Sequence, residues 1–71
     1  MTAPTTAALP RERHRTNVGD VIVQTIEWPG NTWQTVASKN GVPIDVDTYS
    51  SGHIAKQRHQ QMVRAAMRRF R

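Results

Sequence analysis

Arginine and lysine side chains are the residues of this sequence best suited to chemistry, and they cluster near its two ends. Ten bases stand against five acids in 71 residues, giving a formal net charge of +5. Residues 16–55 reverse the balance, with a single lysine against four acids. Clustered bases bind polyanions by attraction and by releasing condensed counterions. The candidate nucleic-acid-binding residues are Arg11, Arg13, Arg15, Lys56, Arg64, Arg68, Arg69 and Arg71.

No grouping of residues predicts catalysis, a metal site or a cofactor. Asp45 and Asp47 share one face of a predicted strand, where an exposed acidic surface is a simpler interpretation than a catalytic pair. His53 and His59 are six residues apart and fall on different faces of a helix. The sequence has no cysteine and no phosphate-cradling glycine loop. We therefore expect a binding or structural domain without enzymatic activity, cofactor or small-molecule substrate.

The length allows one domain with a limited core. No run of residues approaches the roughly 20 apolar positions that span a bilayer. The first ten residues lack the basic start and apolar run of a signal peptide. We expect a protein with no membrane partner, located in the cytoplasm, or in a virion if a phage encodes it.

Two stretches predict strands. Residues 21–28 (VIVQTIEW) are rich in β-branched and aromatic side chains, and a turn at 29–31 follows them. Residues 42–49 (VPIDVDTY) alternate with a period of two, and the dipeptide at 40–41 before them is a tight-turn signal. We expect Ile44 and Val46 to face the core, which leaves Asp45, Asp47 and Tyr49 on the open side of the sheet.

Residues 32–40 (TWQTVASKN) fit two structures. A helix would place Trp33, Val36 and Ala37 on one face and end at Gly41. A strand would complete a hairpin with residues 42–49, and this is the simpler solution. The helix remains an open alternative.

A helix is predicted from the region of Ser51, a suitable N-cap, to Phe70. Its apolar face predicts the core, with His59 as a packed or border histidine, and comprises Ala55, His59, Met62, Val63, Ala66, Met67 and Phe70. The expected fold is α+β: a small three-stranded antiparallel sheet followed by one C-terminal amphipathic helix. Residues 1–17 form a flexible basic arm before a single domain at 18–71.

Residues 19–70 contain five features with a recognisable spacing: Trp33, the Asn40-Gly41 turn, Tyr49, Ser51 and Ala55. Through these features the chain resembles the arm-binding domain of tyrosine recombinases, which is related to plant ethylene-response DNA-binding domains. The resemblance implies three strands, a helix and a sheet laid against DNA. Asp45 and Asp47 depart from the family, which carries bases on that sheet surface. The departure shifts the expected contacts to the arm and the helix.

Residues 29–45 (PGNTWQTVASKNGVPID) also resemble the first half of a LysM peptidoglycan-binding module, and the opening of a helix-turn-helix. Both resemblances need helices where we favour strands. Asp47 replaces the usual leucine of LysM modules, and the chain closes with a basic helix where those modules close with a strand.

These observations predict a small basic protein that binds nucleic acid, DNA before RNA, through phosphate contacts from its arm and helix. One alternative is a structural or assembly protein, a virion or complex subunit that binds another protein or copies of itself through its segregated charges. A further alternative is glycan binding of the LysM kind.

Overall fold

The computed structural model describes the backbone of residues 10–69 and the side chains of residues 10–68. Its elements, in chain order, are β1 (Arg11–Val18), β2 (Val21–Trp28), β3 (Thr32–Lys39), β4 (Val42–Tyr49) and α1 (Gly52–Arg69). The strands form one antiparallel sheet in the order β1-β2-β3-β4. The α+β class and the single C-terminal helix are confirmed. The sheet, however, has four strands and not three.

The additional strand, β1, lies where the sequence predicts a flexible arm. It pairs with β2 from Arg11 opposite Glu27 to Val18 opposite Val21. Gly19, with φ of 60°, opens the two-residue turn between them. Glycine at the first position of a two-residue hairpin turn is a recognised sequence signal, and the charged residues before it concealed the strand. The first nine residues of the predicted arm lie outside the described part of the chain.

The contested residues form a strand. β3 pairs with β2 on one side and with β4 on the other. Asn40 and Gly41 have φ of 53° and 80°, the pair of positive values that a type I′ hairpin turn needs. The helix alternative for residues 32–40 is therefore wrong. The LysM-like and helix-turn-helix-like interpretations depend on that helix and lose their structural basis.

The start of α1 is fixed by its cap and by a close contact with the sheet. Ser51 is the N-cap, as predicted: its carbonyl oxygen accepts from Ala55 N at 3.1 Å, and its Oγ accepts a longer bond of 3.5 Å from Ile54 N. Gly52 lies against the indole of Trp33, and a Cβ atom at this position would come within 2.7 Å of the ring. The absent side chain lets the first turn of α1 approach the sheet closely.

One core layer lies between α1 and one face of the sheet. Its buried apolar side chains, which are small except for Met62, are Val21, Val23, Ala37, Ala55, Met62 and Ala66. Val18 and Val63 pack at its margin. Met67 was predicted in this layer, but its side chain is 55% exposed. A residue five positions after Met62 is rotated well away from it on a helix. Phe70 lies outside the described residues.

Three polar side chains occupy the centre of this layer and are fully connected. Thr35 Oγ1 donates to the carbonyl oxygen of Ala55, so it accepts from Thr25 Oγ1 at 3.2 Å. Thr25 has then used its hydrogen, and accepts from Nδ1–H of His59 at 2.8 Å. In the neutral ring, Nε2 carries no hydrogen and accepts from Thr16 Oγ1 at 2.9 Å. The chain of bonds assigns one tautomer to His59, which is buried as its apolar neighbours predict.

Most of β4 faces the opposite way from the sequence prediction. Ile44 is the exception: it lies at a register shift and lines a cavity on the helix side with Val21 and Met62. Asp45 pairs with Ala37 and Asp47 with Thr35, and both partners are buried beneath α1. The two aspartates and Tyr49 therefore lie on the helix side. Val46 lies on the open side, with its side chain 46% exposed. The prediction that side chains of β4 alternate between the two faces of the sheet was correct. A period of two does not, however, indicate which of the two alternating sets of side chains faces the core.

Candidate nucleic-acid interface

The eight predicted binding residues fall into two groups on different elements. Three arginines lie on the edge strand β1. Lys56, Arg64 and Arg68 lie on α1 and are exposed. The backbone of Arg69 ends α1, while its side chain and the whole of Arg71 lie outside the described part of the structure. The described residues of the predicted site therefore come from two elements, the edge strand β1 and the helix α1.

Two of the β1 arginines are already engaged by carboxylates. Arg13 contacts Glu27 at 2.6 Å, and Arg15 forms an ion pair with Glu12. The hydrogen bond from Arg15 lowers the pKa of Glu12 and raises the pKa of the arginine. The pairs are exposed, so each contributes little stability. They nevertheless leave Arg13 and Arg15 less available to phosphates than free side chains on a flexible arm.

The two carboxylates of β4 share one arginine of the helix. Arg58 Nε donates to Asp47 at 2.7 Å, and an Arg58 guanidinium nitrogen lies 3.9 Å from Asp45. This hydrogen bond, assisted by one from Tyr49, lowers the pKa of Asp47. Burial, and then the adjacent Asp47, raise the pKa of Tyr49. The sequence prediction did not include Arg58 in the site. Because α1 follows β4 directly and packs on the sheet, it places Arg58 beside the two carboxylates.

All five acids of the chain are paired with bases. Besides the pairs above, Asp20 lies 4.0 Å from Lys39. These contacts balance the sheet and leave the positive excess elsewhere. Among the described side chains, the bases without an ion pair are Arg11, Lys56, Arg64 and Arg68. Three of these four belong to α1.

We name the side of α1 that points away from the sheet the outer face of α1. Its exposed side chains are His53, Gln57, Gln60, Gln61, Arg64 and Arg68. Arg64 and Arg68 are one helical turn apart, so they project together. Lys56 lies at the flank of this face, and its Cα is about 18 Å from that of Arg68 along the helix axis. The surface presents cations and amide groups with no carboxylate.

We name the opposite side of the sheet, which no element among the described residues covers, the open face of the sheet. Its centre carries Ile22, Ile26, Val36 and Val46, with Gln24 and Gln34 between them. Trp28 is 39% exposed and donates its indole N–H to Gln34 at 3.2 Å. The Glu12–Arg15 pair is the charge on this face, at the β1 margin.

The described residues contain neither a cluster of metal-binding side chains nor a helix that could span a membrane. No group of three or more His, Asp or Glu side chains is placed there to hold a metal ion. Within the same residues, α1 is too polar to cross a bilayer.

Searches of family models, curated proteins and solved structures found no match to this chain. The likeness to the recombinase arm-binding domain remains a prediction from the sequence.

Proposed function

We propose that this protein binds nucleic acid through phosphate contacts made by the outer face of α1. One observation carries the proposal: all five carboxylates neutralise other bases, so the excess positive charge is concentrated on α1. The helix bears Lys56, Arg64 and Arg68 on exposed positions, and the sequence adds Arg69 and Arg71 at its end.

The geometry suits a phosphate backbone. The exposed bases extend over about 18 Å of helix, comparable to five phosphates of one DNA strand at roughly 3.4 Å along the duplex axis. The glutamines between the bases add hydrogen-bonding groups without opposing charge. Phosphate contacts carry no sequence information directly, so we expect binding to depend more on salt than on sequence.

The proposal differs from the sequence prediction in the weight given to β1. Arg13 and Arg15 would have to exchange their carboxylates for phosphates, whereas Arg64 and Arg68 need break no ion pair. The four arginines therefore provide a matched test. Arg64→Gln with Arg68→Gln, and Arg13→Gln with Arg15→Gln, change the net charge by the same amount.

Fluorescence anisotropy with short labelled duplexes of DNA and of RNA, over a series of salt concentrations, tests the proposal. The wild-type protein should show a log–log salt slope of about −3 to −5, for four or five phosphate contacts. The α1 double variant should reduce the magnitude of that slope by about 2, and the β1 double variant should change it little. An equal loss in both variants would show a response to net charge alone, and an absence of binding at low salt would overturn the proposal.

A further inference from the structure

The open face of the sheet is unlike the rest of the surface. Four β-branched apolar side chains, Ile22, Ile26, Val36 and Val46, occupy its centre. The only charges there among the described residues are Glu12 and Arg15, which neutralise each other. A face with an apolar centre and no net charge, on a strongly basic domain, marks a surface that meets protein, because a polyanion gains little from it.

From this face we infer that two copies of the chain associate with their sheets packed face to face. Packed sheets lie about 10 Å apart and bury the residues that alternate toward each other. Both α1 helices would then lie on the outside, so their outer faces point away from each other. The positive charges of the two copies are kept apart by the full thickness of the dimer.

The size of the face is sufficient for a second copy. Four strands spaced about 4.8 Å apart, each eight residues long at about 3.3 Å per residue, give a face of roughly 500 Å². Two copies contribute about 1,000 Å², which reaches the range where specific interfaces begin.

The charges on this face are self-complementary. Arg15 is opposite Gln24, and Glu12 is opposite Ile26. Gln24 and Ile26 are consecutive on this face of β2, so Arg15 and Glu12 are neighbours on the same face of β1. A two-fold axis between the sheets and across the strands lays β1 over the other copy's β1 in the reverse direction. Arg15 then faces the partner's Glu12, and each copy makes the same contact, as a two-fold interface requires.

The edges of the sheet are poor alternatives for association. β1 carries charged side chains at its outer end and an irregularity at Arg13. β4 contains Pro43, and a register shift there leaves Ile44 as an extra residue. Charges, proline and bulges are the features that prevent strands from pairing edge to edge. The open face is therefore the surface left for a second copy.

Sedimentation velocity over a concentration series, without nucleic acid, tests this inference separately from the proposed function. Val46→Glu places a carboxylate in the interface, and Ile54→Glu is its matched control. The side chains of Val46 and Ile54 are 46% and 49% exposed, and Ile54 lies on α1. A glutamate three residues after the N-cap also favours the helix. Gln24→Lys is a second interface variant at a position that is already polar.

We expect dimers for the wild-type protein and for Ile54→Glu. Val46→Glu should raise the dimer dissociation constant by at least about tenfold, because the introduced carboxylate is desolvated without a partner. Gln24→Lys should raise it as well, because the added cation gives each copy's face a net positive charge that the other copy repels. Circular dichroism shows whether each variant is folded. A wild-type protein that is still monomeric at about 1 mM has a dimer dissociation constant above that concentration, which means negligible association. That result would overturn the inference. Equal dimerisation of both folded interface variants and the wild type would also overturn it.

Discussion

The outer face of α1 and the open face of the sheet lie on opposite sides of one core layer, and they differ in the interaction by which each could bind a partner. The outer face of α1 presents Arg64 and Arg68 among glutamines and no carboxylate. The open face of the sheet presents β-branched side chains and one neutralised pair of charges. Electrostatic attraction is available on the first and apolar burial on the second. The difference indicates two kinds of partner for one small domain.

The contrast arises from the placement of five acids, not from the bases alone. Glu12, Glu27 and Asp20 neutralise bases of the sheet, while Asp45 and Asp47 hold the inward-turned Arg58. Each such pair contributes little to stability when exposed. Their larger effect is on the electrostatic field, since they confine the uncompensated charge mainly to the helix. Charge distribution therefore says more about this protein than its net value of +5.

The largest effect should come from breaking the layer that holds the two surfaces back to back. Met62 is 5% exposed and reaches the sheet from α1. Met62→Ala should lower the free energy of unfolding by about 2–5 kcal/mol, through lost burial and the cavity left behind. Urea denaturation followed by circular dichroism measures it. In a domain of this size both surfaces should be lost together.

Met67→Ala is the control on the same helix, with the same change of side chain at a position 55% exposed. Its effect should remain within about 0.5 kcal/mol, as for other surface substitutions. Equal destabilisation by the two variants would contradict the position assigned to α1 on the sheet.

The next largest effect should come from the contact that sets the distance between helix and sheet. Gly52→Ala introduces a Cβ atom 2.7 Å from the Trp33 ring. We expect the free energy of unfolding to fall by about 1–3 kcal/mol, the usual range for overpacking. Thermal denaturation measures it. In a Trp33→Leu background, where the ring is absent, the same substitution should be nearly neutral, and an unchanged penalty there would locate the strain elsewhere.

A smaller effect should follow from pH, through the polar centre of the layer. Burial, and then the nearby His14, lower the pKa of His59. The unfolded chain therefore binds this proton more readily, and stability rises with pH. The contribution of neutral His59 is complete above the unfolded value of about 6.5. It is lost as the pH falls below that value and through the lower pKa of the folded state.

Denaturant titrations at several pH values between about 8 and 5 measure this dependence around the histidine pKa. His59→Leu should remove the part of the slope that is due to the buried imidazole, and His53→Gln, on the outer face of α1, should retain it. An unchanged slope in His59→Leu would assign the pH dependence to another group.

The smallest effect on stability should come from releasing the β4 carboxylates. Arg58→Gln leaves Asp45 and Asp47 without their base, at a small cost in stability because the pairs are exposed. It places two negative charges beside α1, so polyanion affinity should fall more than in Arg13→Gln, which makes the same change of net charge. Equal affinities of these two variants would show that the position of the acids does not matter.

Local sequence signals predicted much of this fold correctly. The β-branched run of β2, the Asn40-Gly41 turn and the Ser51 cap each specify backbone geometry within a few residues. The same is true of the buried helix stripe at Ala55, His59 and Met62. β1 was missed because two of its three inward residues, His14 and Thr16, are polar and follow Arg13 and Arg15, so the strand shows no apolar alternation. The turn at Gly19 was the signal that could have revealed the strand.

The candidate site was predicted only in part. Sequence position identified the bases, but ion pairing depends on residues distant along the chain, such as Arg13 with Glu27 and Arg58 with Asp47. The faces predicted for Asp45, Val46 and Asp47 of β4 were wrong for a related reason. Its two alternating sets differ by one residue in register, and the packing of α1 selects between them.

The sequence by itself determined the class of the domain, the positions of most elements and the excess of positive charge. Those properties depend on residue type, periodicity and neighbouring residues, all of which act over short range. Only the tertiary structure decided that residues 11–18 complete the sheet, that His59 is hydrogen-bonded at its centre, and that the acids cancel the charge of the strands. Such properties depend on which distant side chains come within a few ångströms of one another, because hydrogen bonds and ion pairs act only at that range.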